Sequence, residues 1–272
     1  MKITVLLENT CGREGCTAKH GLSFYIETEN HRLLMDTGPD DTLLGNAQVL
    51  GIDLQKIEMV IISHGHYDHA GGVLPFAKVN PQAEIIMQES AVLPHYNGSR
   101  YIGIDPEIAN LSQLKLISGN KRIDDELFLF SGVTGRRDFP AGNLTMRTVR
   151  DGRSIPDDFS HEQHLVISCA GRQILLSGCA HSGILNILDR YKEIFGNLPD
   201  VVMSGFHMMK PGEPYTEEDI SIIENTAKEL AKTDTVFYTG HCTSRPAFEI
   251  MRKIMGEQIK EINTGMVFNF WV

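Results

Sequence analysis

Short apolar runs separated by polar turns make up much of this 272-residue chain, and they predict a protein that mixes strands with helices. The run at residues 57–62 is interrupted only by Glu58 and is rich in β-branched side chains, so it predicts a buried strand. The elements predicted in the first half are strands at residues 3–7, 22–27, 32–35, 57–62 and 84–88 and helices at residues 42–50 and 70–79.

The second half alternates strand and helix patterns more regularly. Gly196 marks the end of one helix, Thr216 and Asp219 form a capping box for the next, and Ser244 begins a third. The predicted elements are strands at residues 163–168, 173–177, 201–203, 236–238 and 266–271, with helices after residues 183, 216 and 244.

Residues 89–158 are harder to interpret, because glycines and prolines separate short strands at 114–117, 127–130 and 144–148. Two interpretations stay open. The stretch either forms an insertion that faces a substrate or simply continues the main sheet.

Three histidines and one aspartate lie within six residues directly after the strand at 57–62: His64, His66, Asp68 and His69. Neutral imidazole and carboxylate are the ligands that borderline divalent metals prefer. In an extended loop every second side chain points the same way, so His64 and His66 can close on one ion. Asp68 and His69 follow the turn of the loop and can face a second ion. A site with one ion, using part of this motif, is the alternative.

Three later strands are each followed closely by a histidine, namely His181, His207 and His241, with a glycine within the three preceding residues. Strand ends of a sandwich gather along one sheet edge, where functional side chains are commonly held. We therefore expect His181 and His241 to be metal ligands. We expect His207 to be either a further ligand or a catalytic group that contacts a phosphate or donates a proton.

Composition narrows the function classes. The net charge of −10 argues against a basic nucleic-acid-binding surface. Five cysteines, an odd number in a long chain, favour a reducing, cytoplasmic setting, with Cys11 and Cys16 as plain loop residues. Neither a targeting segment nor a run of the roughly 20 apolar residues that cross a bilayer is visible. The expected partner is a small-molecule substrate, with no nucleic acid and no membrane, and homo-oligomer formation is left open.

The Asp36-Thr37-Gly38 turn, the histidine-rich loop and the late histidines, in this order, resemble the metallo-β-lactamase superfamily over nearly the whole chain. The resemblance implies an α/β fold, a four-layer αββα sandwich, formed by one domain at residues 1–272. It implies two divalent ions, zinc first and manganese or iron as alternatives. The implied ligands are His64, His66 and His181 for one ion and Asp68, His69 and His241 for the other. Asp36 would either cap its turn or hydrogen-bond a metal-bound histidine.

One position departs from that pattern. Much of the superfamily has a bridging aspartate where this chain has Cys179, after Ser177-Gly178. Cys179 either supplies a thiolate ligand or is a small buried residue. Without the bridging carboxylate, we expect two metals to be held less tightly.

Further motifs resemble one subgroup, the proteins labelled dihydropterin-methyl-ribofuranosylaminobenzene phosphate synthases: residues 20–23, 178–186, 205–207 and 240–243. The expected function is a metal-dependent hydrolase or a pyrophosphate-displacing transferase acting on a small pterin or phosphorylated substrate. Asp68 would orient a metal-activated water as well as bind metal. One rival is a di-iron redox protein, although such relatives usually carry glutamate at the position of His66. The other is a catalytically silent binding protein.

Overall fold

The computed structural model describes residues 1–210 and 212–271, which form eighteen strands and six α-helices. The strands are β1 (Lys2–Leu7), β2 (Ser23–Glu27), β3 (Arg32–Met35), β4 (Met59–Ile61), β5 (Glu84–Gln88), β6 (His95–Asn97), β7 (Arg100–Tyr101), β8 (Leu114–Ile117), β9 (Lys121–Arg122), β10 (Leu127–Ser131), β11 (Met146–Arg150), β12 (Arg153–Pro156), β13 (Gln163–Cys169), β14 (Arg172–Leu176), β15 (Val201–Ser204), β16 (Val236–Thr239), β17 (Ile259–Glu261) and β18 (Val267–Asn269). The helices are α1 (Thr42–Leu50), α2 (Tyr67–Ala70), α3 (Val73–Val79), α4 (Ile184–Phe195), α5 (Glu217–Leu230) and α6 (Arg245–Met255).

Two seven-stranded sheets carry the fold, in the orders β18-β1-β2-β3-β4-β5-β8 and β17-β16-β15-β14-β13-β10-β9. Strands β3, β4 and β5 are parallel, and so are β14, β15, β16 and β17. Because parallel strands end at the same edge, the turns that follow them in each sheet lie side by side, where α/β proteins hold their ligands.

Three hydrophobic clusters define four layers. One lies between the sheets and joins Phe24 of the first sheet to Leu165 and Met203 of the second. Another packs α1 and α3 against the outer face of the first sheet, and a third packs α4, α5 and α6 against the second. The predicted αββα sandwich is confirmed. None of the helices in the described part of the chain is long and apolar enough to cross a membrane.

The predicted helix at residues 70–79 is wrong at its beginning. Helix α2 ends at Ala70, and α3 begins only at Val73. The intervening glycines lie against the turn after β3: a Cβ on Gly71 would lie 2.0 Å from the carbonyl oxygen of Pro39. This contact allows no side chain at Gly71. The N–H of Gly72 donates to the carbonyl oxygen of Gly38 at 3.1 Å instead of to the preceding helical turn, so the helix is interrupted here.

Residues 89–158 contribute to all three sheets. The predicted strands at 114–117 and 127–130 extend the main sheets as β8 and β10, whereas β6, β7, β11 and β12 form a separate four-stranded sheet. The strand predicted at 144–148 begins later, as β11, because residues 141–145 form a 3-10 helix. The segment directly after β7 is hydrogen-bonded to the histidine-rich loop, since Tyr67 N–H donates to the carbonyl oxygen of Ile102 at 2.9 Å.

Candidate metal centre

The turns after the parallel strands bring the predicted site residues together. Strand β3 leads into Asp36, and the loop after β4 carries the first histidines into α2. In the other sheet, the turns after β14, β15 and β16 supply the late histidines. The residues gathered in this way are Asp36, His64, His66, Asp68, His69, Cys179, His181, His207 and His241, all of them buried.

Three imidazoles face one another on one side of this cluster. The ring centroids of His64 and His66 lie 4.6 Å apart, those of His66 and His181 4.7 Å, and those of His64 and His181 4.8 Å. The ligand atoms of His64, His181 and Cys179 all lie within 4.8 Å of one another. This is the arrangement expected of side chains that share one cation.

A second group lies beside the first and shares Cys179 with it. Its ligand atoms, from Asp68, His69, Cys179 and His241, all lie within 4.8 Å of one another. The Nε2 atom of His69 is 3.2 Å from Nε2 of His241 and 3.1 Å from the Cys179 sulfur. A carboxylate oxygen of Asp68 lies 3.3 Å from Nε2 of His241.

Four of the histidines use Nδ1 to hydrogen-bond an oxygen atom, which fixes the proton on the outer side of each ring. Ser63 Oγ donates its own hydrogen to Asp36 and so accepts from His64. The Asn143 side-chain amide donates to the carbonyl oxygen of His181, so its oxygen faces the ring. The four Nδ1 partners are Ser63 Oγ for His64 at 2.8 Å, Asp36 Oδ2 for His69 at 2.6 Å, Asn143 Oδ1 for His181 at 2.9 Å and Asn9 Oδ1 for His241 at 2.9 Å.

These hydrogen bonds leave a lone pair on each inward Nε2 atom. In His64 and His181, Nε2 is buried and hydrogen-bonds nothing among the described residues. In His69 and His241, the two Nε2 atoms face each other at 3.2 Å, which is repulsive unless a metal ion or a proton lies between them. The donor set therefore fits divalent metal ions, with the outer nitrogens oriented as metal-bound histidines require.

The ionisation of the first group of histidines agrees with that fit. Burial lowers the pKa of His64, His66 and His181 well below the ordinary value, and neighbouring histidines lower it further. Neutral imidazole is the form that binds metal.

Burial lowers the pKa of His69, but Asp36 and Asp68 outweigh burial and raise it, so a metal ion bound there would have to displace a proton. Burial opposes ionisation of Asp68, but three histidines beside it outweigh burial and hold the pKa well below its usual range. Burial raises the pKa of the Cys179 thiol, so a bound cation would have to displace its proton.

Cys179 lies at the junction of the two groups, in the position that a bridging ligand would occupy. It is 3% exposed and belongs to both sets of clustered ligand atoms. It also belongs to a third set, with His207 and Cys242. The sequence left open whether Cys179 is a ligand or a small buried residue, and its central position favours the ligand.

His66 lies between two groups of side chains, because it also clusters with the buried His95 and His161 and the half-buried Asp157. His161 Nδ1 accepts the backbone N–H of Gly65 at 3.0 Å, which places its own proton on Nε2, towards Asp157 at 3.4 Å. A protonated Nε2 cannot bind metal. These three residues therefore support the loop that carries His64 and His66.

Sequence reasoning missed the groups that hold the late histidines in place. Buried Glu8 accepts the backbone N–H of His241 at 2.6 Å, and buried Glu162 accepts that of His181 at 2.7 Å. Both turns need this support, because His241 and Ala180 have the positive φ angles of 48° and 53°. Isolated polar residues in loops carry no periodic signal. Only the pairing of a loop carboxylate with a histidine at a strand end could have suggested them.

A cavity of about 560 Å³ opens beside this centre. His66, Asp68, Cys179, His181 and His207 contribute to its wall. Helix α2, the small sheet with its adjoining loops, the segment before α5 and α5 itself line the rest. They contribute largely apolar side chains: Tyr67, Ile102, Leu144, Met146, Met208, Met209, Tyr215, Ile222 and Ile223. A small organic molecule can therefore reach the clustered ligands.

Comparison with known proteins identifies the family. The family model of the metallo-beta-lactamase superfamily matches residues 16–241, which is most of the chain. The chain belongs to the metallo-beta-lactamase superfamily. A solved structure described as a metal-dependent hydrolase of the beta-lactamase superfamily is 30% identical, with a TM-score of 0.83 and 99% of both chains covered. Zinc-bound PqqB of Methylobacterium extorquens shares the metallo-beta-lactamase fold at 12% identity, with a TM-score of 0.59 and coverage of 99% of this chain and 100% of the other.

Two relatives of this superfamily member come from Methanocaldococcus jannaschii. One, named 7,8-dihydropterin-6-methyl-4-(beta-D-ribofuranosyl)-aminobenzene-5'-phosphate synthase, is 26% identical over 99% of this chain and 97% of its own. The other, an uncharacterized protein, is 30% identical over 78% of this chain and 82% of its own. The predicted resemblance to the superfamily and to the synthase subgroup is confirmed.

Replacing Asp36 by asparagine is expected to weaken metal binding by about 10- to 100-fold. Asp36 accepts hydrogen bonds from His69 Nδ1, Ser63 Oγ and Ser63 N–H at 2.6–2.7 Å, so it orients both His69 and, through Ser63, His64. Competition with a metal chelator measures the affinity. Asp53→Asn, at an exposed capping position, is the matched control. Equal affinities for the two variants would contradict this role.

Proposed function

We propose that this protein uses divalent cations to break a phosphoester or pyrophosphate bond in a small molecule. The observation that carries the proposal is the convergence of four Nε2 lone pairs, one carboxylate and one thiol beside an open cavity, whose wall includes Asp68, Cys179 and His181. Two relatives support it: one is described as a metal-dependent hydrolase, and the other is named for a phosphate-bearing pterin product.

His64, His66 and His181 would hold one cation, and Asp68, His69 and His241 the other, with Cys179 between them. Zinc is the first candidate for this donor set, with manganese and iron as alternatives. Cations bound there would polarise the bond under attack and supply a water of lowered pKa.

Two residues of this chain would act on the substrate directly. Asp68 is held by His20, whose Nε2 lies 3.3 Å away, and would orient the attacking water. His207 lines the cavity with its ring centroid 4.1 Å from that of His181, and its buried Nδ1 atom bonds nothing among the described residues. We assign it to contact the phosphate or to donate a proton to the leaving group. The small sheet within residues 89–158 would be the substrate-facing insertion.

A transferase is the second candidate, favoured by the full-length similarity to the synthase. In that reaction a dihydropterin carrying a pyrophosphate group would be attacked by a ribofuranosylaminobenzene phosphate, and pyrophosphate would leave. The two activities differ in one measurable respect. A hydrolase releases phosphate or pyrophosphate without the aromatic acceptor, whereas a transferase requires the acceptor to release pyrophosphate.

Removal of metal is expected to abolish turnover, and restoring it is expected to recover the activity. Elemental analysis of protein purified without added metal should find about two divalent ions per chain. The protein is then stripped with a chelator, reloaded with zinc, manganese or iron, and assayed on phosphomonoesters, phosphodiesters and pterin pyrophosphates. A fully loaded protein that binds these compounds without turnover would contradict the proposal and favour a binding protein. Iron with an oxygen-dependent visible spectrum would favour the redox alternative.

A further inference from the structure

An arginine stands at the wall of the cavity without a carboxylate partner. Arg100, on β7, lines the cavity, and its guanidinium group lies within 4.0 Å of no carboxylate in residues 1–210 and 212–271. The other long basic side chain of this wall, Lys210, is paired with Asp219 at 2.6 Å. In a chain with a net charge of −10, a cation left uncompensated at this position is available to a ligand.

The metal-binding loop itself fixes the position of Arg100. In the sequence, Tyr67 stands between His66 and Asp68. Its hydroxyl accepts a hydrogen bond from Arg100 Nη2 at 2.8 Å. The guanidinium carbon lies 5.3 Å from the centroid of the Tyr67 ring, in a cation–π contact. These contacts use one N–H group and one face of the guanidinium, so the remaining N–H groups can donate to an oxyanion.

Asn97 adds a second donor beside Arg100. The two residues are paired directly across the hairpin of β6 and β7, and both line the cavity. Thr145 Oγ donates to Asn97 Oδ1 at 2.7 Å, which fixes the side-chain amide with its oxygen towards Thr145. The amide NH₂ group is therefore left for a ligand.

We propose that Arg100 and Asn97 form an anion-binding subsite beside Tyr67, on the wall of the same cavity that the clustered metal ligands face. The matching ligand is an organic molecule with an apolar body, which packs against the apolar wall, and an oxyanion, phosphate or carboxylate, remote from the reacting bond. The substrate role of this subsite rests on the proposed function. Binding at the subsite does not require turnover.

The test measures binding of three probes to the metal-loaded protein by calorimetry: phenyl phosphate, benzoate and benzyl alcohol. The wild-type protein is expected to bind at least one anionic probe about tenfold more tightly than the alcohol, and Arg100→Gln is expected to remove this preference. The stronger anion identifies phosphate or carboxylate as the ligand group. Arg100→Lys is expected to recover part of the preference, since it keeps the charge but loses the planar fork.

The matched control is Arg147→Gln, because Arg147 lies on β11 of the same small sheet, donates to Ser154 and does not line the cavity. A preference for anions that survives Arg100→Gln would overturn the subsite, since the metal ions alone would then bind the oxyanion. Equal losses in the Arg100 and Arg147 variants would overturn it as well, since general charge would then explain the binding. Failure of the proposed function has a different outcome, namely normal probe binding and no turnover of any substrate by the loaded protein.

Discussion

His66→Ala is expected to remove one metal ion per chain and to lower kcat/KM by about a thousandfold or more, because charge stabilisation by a metal ion contributes several kcal/mol to the transition state. His66 is one of three imidazoles whose ring centroids lie 4.6–4.8 Å apart, so its loss leaves one cation with too few ligands. Elemental analysis and initial rates on the best substrate from the phosphoester and pyrophosphate assays measure both effects.

His31→Ala is the matched control for this variant. His31 pairs with Glu58 and Asp124, and its ligand atoms belong to none of the metal-binding clusters of the described residues. It should keep the wild-type metal content and rate. A His66→Ala protein that keeps its metal would place His66 with His95, Asp157 and His161 instead, as a residue that supports the loop.

Cys179→Ala is expected to weaken binding of both metal ions, by at least about tenfold for the weaker one, which corresponds to 1.4 kcal/mol. The effect should reach both ions because the Cys179 sulfur lies within 4.8 Å of the ligand atoms of both groups of side chains. Burial raises the pKa of this thiol, so metal binding must release its proton. The affinity of the wild-type protein should therefore rise with pH, and the rise should be smaller in the alanine variant.

Two further variants distinguish the two interpretations of Cys179, a metal ligand or a small buried residue. Cys179→Asp restores a carboxylate at the position where much of the superfamily has one, and it is expected to retain both ions. Cys169→Ala changes a cysteine at the end of β13 and should leave metal content unchanged. Unchanged affinity in Cys179→Ala would show that this side chain only fills space.

The clustering of the residues predicted as ligands could be anticipated from sequence because they follow recognisable strands. His64, His66, Asp68 and His69 lie in one short loop, and the order of apolar runs predicts where that loop leaves the sheet. The late histidines likewise follow directly after three strands, in the turns at the strand ends. Local pattern therefore determines both the elements and the direction in which each ligand leaves its sheet.

The groups that orient the ligands could not be found in this way. Asn9 and Asn143 each bind a histidine Nδ1 atom across long stretches of chain, and neither lies in a repeating pattern. Their positions depend on how loops pack after the two sheets have docked. The break between α2 and α3 has the same origin, since Gly72 N–H bonds the carbonyl oxygen of Gly38 and Gly71 lies against Pro39, both in the turn after β3. Tertiary packing overrides the helical pattern at residues 70–79.

The hydrogen bond from His241 N–H to Glu8 joins residues 233 positions apart, and β1 pairs with β18 at the ends of the chain. Contacts of such long sequence separation form slowly, because closing a long loop costs entropy before any contact repays it. The second group of ligands is therefore completed only when the first and last strands have met. Metal uptake during refolding should be a late event, and a bound metal then stabilises only the closed chain. A metal ion bound by both Asp68 and His241 would therefore connect the amino-terminal and carboxyl-terminal halves of the chain.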